Sequence, residues 1–279
     1  MQNIMGHDIH ADTVGEGSPA LVLHCALGRS EAMVPLVQQL GYRADRTKSP
    51  DNQAMVPLVQ QLGYRATLFD LPGHGQSGNW DGASDYQRLT TDIAGQLCDG
   101  PTHVIGHSFG ATAALRLAVE RPDLVNRLTL IEPVYFVAAK GTDAHAEFAK
   151  GFRPFVAAML RGEEDSAAKM FNEIWGGMPW DAMSDRRRQY LTERIHLVVA
   201  GAAEIEEDAA GITSEQRLGA VELPVTLIRG GASQAVMADI HATLATRLPN
   251  ATDHVVPGAG HMLPMTHADQ VAEIIRSAD

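Results

Sequence analysis

Short apolar runs recur along the whole chain and predict a β-sheet. The runs are nearly continuous and rich in Val, Ile and Leu, which is typical of strands that are buried on both faces. Helical patterns separate most of them, so we expect an α/β fold with a mostly parallel central sheet flanked by helices. The predicted strands cover residues 7–14, 20–23, 66–69, 104–105, 128–131, 225–228 and 254–256.

One long stretch interrupts this alternation of strands and helices. About 80 residues between Ile131 and Pro224 show helical periodicity without a convincing strand. This length exceeds an ordinary crossover between parallel strands and predicts a lid. We therefore divide the chain into an α/β core, residues 1–133 and 214–279, and a helical cap, residues 134–213, inserted after the sixth strand.

The predicted cap is rich in aromatic residues and holds five of the seven phenylalanines of the chain. Most of these side chains are expected only to pack the cap helices against each other. A minority are expected to line an apolar pocket for an acyl chain above the core. The predicted substrate-binding residues are Trp175, Met178 and Trp180.

A perfect internal copy stands near the N-terminus, where residues 32–44 recur as residues 54–66. Solenoid repeats diverge and number three or more, so a single identical copy indicates a recent or engineered duplication within the core. Each copy carries an amphipathic helix that ends at a glycine and leads into a strand. Since one helix fits between two adjacent strands, the spare copy is expected to loop out, form a surface helix or mediate a homodimer.

Length, net charge and cysteine content exclude several classes of protein. A chain of 279 residues suits one large α/β domain, and its net charge of −12 argues against nucleic acid or an anionic membrane as a partner. The chain has two cysteines, no basic N-terminus ahead of an apolar segment, and no apolar run near the roughly 18 residues of a membrane span. These features predict a cytoplasmic protein.

The strongest chemical signal is the pentapeptide 106–110, Gly-His-Ser-Phe-Gly. A β-branched run precedes it and a run of small residues follows it, which predicts a strand, a sharp turn and a helix. Glycines at positions 106 and 110 leave room for the turn to hold the Ser108 hydroxyl clear of the backbone. The serine then lies at a helix N-terminus, where developing negative charge is favoured, and is a candidate nucleophile.

A nucleophilic serine needs a base, and the base needs an orienting acid. His261 is the preferred base because it follows the last predicted strand across a glycine-rich turn, with His267 ranked second. No carboxylate follows the strand at 225–228, whereas Glu132 directly follows the strand at 128–131. We therefore predict Ser108, His261 and Glu132 as the catalytic triad, with Asp239 as the alternative acid.

Two backbone N–H groups are expected to stabilise an oxyanion. One belongs to Phe109, directly after the serine, and the other is assigned to Ala26, in the loop after the strand at 20–23. No zinc-protease, paired-cysteine or phosphate-loop motif occurs, so no metal or other cofactor is expected.

Together these motifs resemble the α/β-hydrolases, specifically the lid-bearing esterase-like branch of that family. The resemblance is carried by residues 24–28, 70–77, 106–110, 121–123 and 258–261, in the order that the family has them. It implies that the glycines at positions 73, 75 and 78 form a structural turn rather than a dinucleotide site. The chain departs from the family pattern at Cys25, where glycine is usual, and in lacking an acid after the strand at 225–228.

The residues and the resemblance together predict a cofactor-independent carboxylic ester hydrolase that acts on small to medium apolar esters. The same machinery supports carbon–carbon bond hydrolysis, lactone opening, acyl transfer or cyanohydrin cleavage, since pocket shape decides among these reactions. A binding protein that has lost catalysis on the same fold is a third alternative. A small-molecule ester is the expected partner.

Overall fold

The computed structural model of the chain describes residues 1–40 and 64–278. Nine strands lie within these residues. They are β1 (Gln2–Ile4), β2 (His7–Ile9), β3 (Ala11–Val14), β4 (Ser18–Leu23), β5 (Tyr64–Phe69), β6 (Thr102–His107), β7 (Val125–Ile131), β8 (Val225–Gly230) and β9 (Ala251–Val256). All of the predicted strand positions fall within or around these elements.

The helices of the described residues connect and cover the strands. They are α1 (Val34–Gln39), α2 (Tyr86–Leu97), α3 (Phe109–Glu120), α4 (Asp143–Leu160), α5 (Glu164–Trp175), α6 (Asp185–Arg194), α7 (His196–Ala200), α8 (Ala202–Glu207), α9 (Glu215–Gly219), α10 (Val236–Arg247), α11 (Leu263–Thr266) and α12 (Ala268–Ser277). No helix of the described residues is long and apolar enough to cross a membrane.

Seven strands form one mixed sheet in the order β3-β5-β4-β6-β7-β8-β9. Only β3 runs antiparallel to its neighbour, and the other described pairings in this sheet are parallel. β1 and β2 pair separately as an antiparallel hairpin. The alternating run at 7–14 therefore splits into two strands of different sheets.

The buried strands contribute alternate side chains to two apolar layers. In β4, Leu21 and Leu23 join the layer that contains α2, α3 and α10, while Ala20 and Val22 join the layer that contains α1 and α12. This period-two alternation follows from the geometry of a strand, whose successive side chains point to opposite faces. Because both faces are covered, polar side chains in the central strands are themselves buried, and His103 of β6 is paired with Thr129 of β7 by a 2.9 Å hydrogen bond.

The segment between β7 and β8 is helical, and β7 is the seventh strand of the described residues, not the sixth as predicted. Its helices α4, α5 and α6 share a small apolar cluster that includes Phe155, Ala168 and Leu191. Leu27, from the loop after β4, belongs to the same cluster. The helical segment therefore packs on the carboxyl edge of the sheet, where ligands bind in open α/β sheets.

The duplicated segment divides between the described and undescribed parts of the chain. α1 comes from the first copy, and its apolar residues Leu36 and Val37, with Leu40 after it, are buried in the layer shared with α12. β5 begins with Tyr64, Arg65 and Ala66, the last residues of the second copy. Residues 41–44 of the first copy and 54–63 of the second lie outside the described residues.

Candidate active site

Ser108 occupies the sharp turn between β6 and α3. Its φ is 57° and its ψ is −120°, a conformation that non-glycine residues rarely adopt and that marks local strain. A Cβ atom on Gly106 would lie 2.5 Å from the Cα of Ala111, and one on Gly110 would collide with the carbonyl oxygen of His24. The two glycines are therefore required for β6 and α3 to meet this closely.

His261 lies between β9 and α11, on the glycine-rich turn that the sequence indicated. Its Nε2 is 2.9 Å from the Ser108 hydroxyl oxygen, within hydrogen-bond distance. His107, next to the serine, donates from its own Nε2 to the carbonyl oxygen of His261 at 2.9 Å. The strand that carries the serine thus also fixes the backbone of the histidine.

Glu132 follows β7 directly and is completely buried. Its Oε2 lies 2.9 Å from His261 Nδ1 and accepts from the Ser233 hydroxyl at 2.6 Å, while its Oε1 accepts from the Gly230 N–H at 2.7 Å. Burial alone would raise the pKa of this carboxyl group. The hydrogen bonds and positive charge around it outweigh burial, so the pKa of Glu132 lies below its usual value and the group is ionised at neutral pH.

Sequence reasoning missed Ser233 as a partner of the acid. It stands in the loop after β8, the place where a carboxylate was expected and missing. Because β7 and β8 are neighbours in the sheet, a hydroxyl after β8 reaches an acid placed after β7. The loop therefore supports the carboxylate instead of supplying it.

The alternative residues lie elsewhere. Asp239 is in the first turn of α10, and no hydrogen bond of the described residues joins it to His261. His267, the second-ranked base, has its Nδ1 2.8 Å from the Thr266 hydroxyl oxygen. The structure brings Ser108, His261 and Glu132 together in one row, and it places Asp239 and His267 outside that row.

The loop after β4 carries Ala26 beside Ser108, and both residues line the same cavity. Two buried histidines hold this loop. His24 donates from Nδ1 to the Cys25 carbonyl oxygen at 2.7 Å, and the Leu27 N–H donates to Nε2 of His74 at 3.0 Å. The Ala26 peptide is thus fixed on both sides.

Phe109, the first residue of α3, lines the same cavity. Its N–H belongs to the first turn of the helix, where backbone N–H groups have no partner within the helix and can donate to a ligand. Burial lowers the pKa of His24 to about 4 and that of His74 well below its usual value, so both rings are neutral near pH 7. A neutral ring has one donor and one acceptor nitrogen, so His24 donates to the Cys25 carbonyl oxygen and accepts from the Leu71 N–H, while His74 accepts from the Leu27 N–H.

Cys25 replaces the glycine that is usual at this point of the family pattern. Its side chain is buried and lines a second, smaller cavity next to Ser108. Burial raises the pKa of the thiol to about 11, so it is neutral at physiological pH. The loop accommodates the larger residue without losing the hydrogen bond from the Gly28 N–H to the Cys25 carbonyl oxygen, at 3.0 Å.

Two cavities meet at Ser108. The larger, about 430 Å³, is almost entirely apolar, and its wall includes Phe136, Phe148 and Phe152. The smaller, about 100 Å³, is lined by His261, Cys25, Arg187 and others. Trp175 lines both, and its ring centroid lies 4.5 Å from that of His261.

The other two residues predicted to bind substrate lie away from these cavities. Met178 is 53% exposed, and Trp180 packs in the apolar cluster of the helical segment. Neither contributes to the wall of the two cavities at Ser108. The aromatic wall comes instead from earlier residues, because α4 and α5 turn their apolar sides toward the serine. Helical periodicity alone does not show which side that is.

The chain is similar in sequence to known hydrolases. Esterase Rv0045c of Mycobacterium tuberculosis is 30% identical over 221 residues, which cover 74% of this chain and 72% of that protein. A more distant relative is the 2-hydroxy-6-oxononadienedioate/2-hydroxy-6-oxononatrienedioate hydrolase of Burkholderia vietnamiensis. It is 24% identical over 224 residues, 75% of this chain and 74% of that protein.

Solved structures give the same fold. The crystal structure of an alpha/beta hydrolase from Sphaerobacter thermophilus superposes with a TM-score of 0.68 at 20% identity and covers 97% of each chain. A family model described as the alpha/beta hydrolase family matches residues 21–274. The match spans nearly the whole chain, so this protein is a hydrolase that belongs to the alpha/beta hydrolase family.

Proposed function

We propose that this protein is a carboxylic ester hydrolase with a Ser108, His261 and Glu132 triad. The observation that carries the proposal is the continuous row of contacts from the Ser108 hydroxyl through both ring nitrogens of His261 to the Glu132 carboxylate. This is the arrangement that activates a serine for acyl transfer on several unrelated folds. The relative from Mycobacterium tuberculosis, named an esterase, supports the same chemistry.

In the first half of the reaction, the Ser108 oxygen forms a bond to the ester carbonyl carbon while its proton passes to His261 Nε2. The carbonyl electron pair moves onto oxygen, and the N–H groups of Phe109 and Ala26 stabilise that charge. The bond to the leaving oxygen then breaks, and this oxygen takes the proton from Nε2. An alcohol and an acyl-serine are the products of this half.

In the second half, a water molecule repeats these steps. His261 takes a proton from the water as its oxygen attacks the acyl-serine carbonyl, and the bond to the Ser108 oxygen breaks as that oxygen recovers the proton. The carboxylic acid leaves and the enzyme returns to its starting state. Glu132 stays ionised throughout and stabilises the imidazolium that forms in each half.

We infer which part of the ester each cavity holds from the position of His261. The leaving oxygen must lie within reach of His261 Nε2, and His261 lines the smaller cavity. The alcohol therefore occupies the smaller cavity, and the acyl chain occupies the larger, phenylalanine-rich cavity. This arrangement favours apolar acyl chains of small to medium length.

The first test is hydrolysis of 4-nitrophenyl acetate, butyrate and octanoate, with Ser108→Ala as the inactive control. A fluorophosphonate should add to Ser108 alone, since attack on phosphorus uses the same hydroxyl, base and oxyanion donors. Mass spectrometry of the digested protein locates the adduct. A folded protein that hydrolyses none of the esters and takes up no label would overturn the proposal.

The second test separates ester hydrolysis from the chemistry of the more distant relative. Dienone acids of the type named for the Burkholderia vietnamiensis enzyme are offered beside the ester panel, together with a lactone. We expect higher kcat/KM for the butyrate ester than for either. Turnover of the dienone acid with no turnover of esters would replace the proposal with carbon–carbon bond hydrolysis.

A further inference from the structure

We propose that Arg187 makes the smaller cavity selective for an anionic leaving group, so the preferred substrates are esters whose alcohol carries a carboxylate or a phosphate. This inference rests on the proposed ester hydrolysis and names the substrate class of that same site. It starts from the position of the guanidinium. Arg187 lies in α6 and lines the cavity together with Ser108 and His261.

Two of the other arginines of α6 have acidic partners, whereas Arg187 has none among the described residues. Arg188 pairs with Asp185, and Arg194 pairs with Glu193 at 3.2 Å. No ion pair of residues 1–40 and 64–278 joins Arg187 to an aspartate or a glutamate. A half-buried guanidinium thus borders the cavity without a counter-charge.

The groups that face Arg187 from the elements around it do not supply that charge. Arg29, from the loop after β4, is itself positive. It forms an ion pair with Glu31, in which Arg29 Nη1 lies 3.6 Å from Glu31 Oε2. Tyr190 lies one turn along α6, with its ring centroid 5.3 Å from Arg187 Cζ and its hydroxyl hydrogen-bonded to the Gly28 carbonyl. The Cys25 thiol, whose pKa burial raises to about 11, is neutral.

The energetics favour a bound anion at this point. Burial and the charge of Arg29 lower the pKa of Arg187, which means that its positive charge is poorly compensated in the free protein. An oxyanion on the leaving group would restore this compensation through paired hydrogen bonds, the geometry for which guanidinium is suited. The chain as a whole has a net charge of −12, so this selectivity would be local to the cavity.

Two esters of nearly equal size test the effect of a negative charge on the leaving alcohol. O-butyrylglycolate and O-butyrylglycolamide have the same acyl chain and nearly the same size, and they differ by one negative charge on the leaving alcohol. We expect wild-type kcat/KM to favour the glycolate ester by about tenfold or more, the effect of one charge-assisted hydrogen bond. A third ester, 2-phosphoethyl butyrate, shows whether phosphate is accepted in place of carboxylate.

Substitutions test whether Arg187 causes the preference for the glycolate ester. Arg187→Gln should reduce the ratio of the two kcat/KM values to about one, while Arg187→Lys should retain part of it. Arg186→Gln is the control, because Arg186 is the exposed neighbour and does not line the cavity. A wild-type ratio near one, or a ratio unchanged in Arg187→Gln, would overturn the inference while leaving ester hydrolysis intact.

A binding measurement keeps this result separate from the proposed function. Calorimetric titration of the Ser108→Ala protein with each ester needs no turnover. Tighter binding of the glycolate ester, lost on adding Arg187→Gln, would support the anion site even if the wild type hydrolysed neither compound. Equal binding of the two esters would contradict the inference on its own.

Discussion

At the scale of single residues, the site depends on how one buried carboxylate is kept charged. Glu132 is fully buried and has a φ of 52°, so both its backbone and its side chain are costly to place. Three donors compensate: the ring of His261, the Ser233 hydroxyl and the Gly230 N–H. The orientation of His261 is therefore supported from two adjacent strands, β7 and β8.

Glu132→Gln should fold but lose most of its activity. A neutral amide cannot stabilise the imidazolium, and it favours the wrong ring tautomer, which costs about 10⁴-fold in kcat in the serine protease template. Steady-state kinetics with 4-nitrophenyl butyrate measures this loss, and circular dichroism checks the fold. Near-normal turnover in this variant would remove Glu132 from the triad.

Ser233→Ala tests the supporting hydrogen bond separately from the acid. The carboxylate keeps its charge and two of its donors, so we expect a loss in kcat of about tenfold, much smaller than for Glu132→Gln, with little change in KM. The same assay gives both values. A loss as large as that of Glu132→Gln would mean that the hydroxyl takes part in the reaction itself.

The sequence predicted these residues unequally well, for physical reasons. Ser108 and His261 stand at strand ends marked by glycines, and the geometry of such turns is local. Glu132 was predicted because no acid follows β8, while Ser233 and Arg187 carry no local signal. Their positions depend on which strands are neighbours and which side of α6 faces the sheet. For the same reason Met178 and Trp180 could not be placed from periodicity alone.

At the scale of elements, α6 is tied to the loops on which the serine depends. The Tyr190 hydroxyl donates to the Gly28 carbonyl oxygen at 2.8 Å and accepts from the Gly75 N–H at 3.0 Å. Gly28 ends the loop that carries Ala26, and Gly75 follows the turn at Asp70. One phenol therefore joins the helical segment to the loop that would hold the oxyanion.

Tyr190→Phe should lower both stability and turnover. Two backbone groups lose their partner, which costs about 1–3 kcal/mol, and the Ala26 loop gains freedom that should reduce kcat more than it raises KM. Thermal unfolding and steady-state kinetics measure the two effects. Tyr135→Phe is the matched control, since Tyr135 is buried and hydrogen-bonded to Gln87 but does not line either cavity, so stability alone should fall.

The elements themselves follow closely from the pattern of the chain. Continuous apolar runs predicted the parallel strands because burial on both faces leaves no polar side. The separate hairpin β1-β2 was not predicted, since the alternation at 7–14 does not reveal that the turn after Ile9 changes sheets. The docked copy of the duplicated helix was not predictable either, because the two copies are identical in sequence.

At the scale of the whole molecule, buried neutral histidines make stability depend on pH. Burial lowers the pKa of His24 to about 4, that of His103 and His107 to about 3, and that of His74 well below its usual value. In the unfolded chain these rings titrate near 6.5. Below that pH the unfolded state binds more protons than the folded state, so acidification favours unfolding.

The free energy of unfolding should therefore fall by about 5 kcal/mol between about pH 7.5 and pH 5.5, if all four rings stay neutral in the folded protein. Urea unfolding at several pH values measures it. His103→Gln should reduce the dependence by about a quarter. Glu132 does not disturb this window, because its lowered pKa removes stability only at more acidic pH. A flat profile across this range would contradict the prediction.

The duplicated segment leads to the last prediction, about assembly. The first copy fills the helix position with α1, where Leu36, Val37 and Leu40 are buried, and the second copy carries the same apolar residues at 58, 59 and 62. We propose that this spare copy joins two chains as a homodimer. Deleting residues 41–62 joins Leu40 to Gly63, which preserves the helix, its terminal glycine and β5 in one uninterrupted copy.

Light scattering should then give a dimer for the full chain and a monomer for the deletion variant. The variant should keep its thermal stability and esterase activity, because every residue of the site and of α1 is retained. Substituting Leu58 and Val59 by Ser in the full chain removes the same apolar face without shortening the chain, so it should also give a monomer. A full chain that is already monomeric would end the proposal, whatever the stability of the variants.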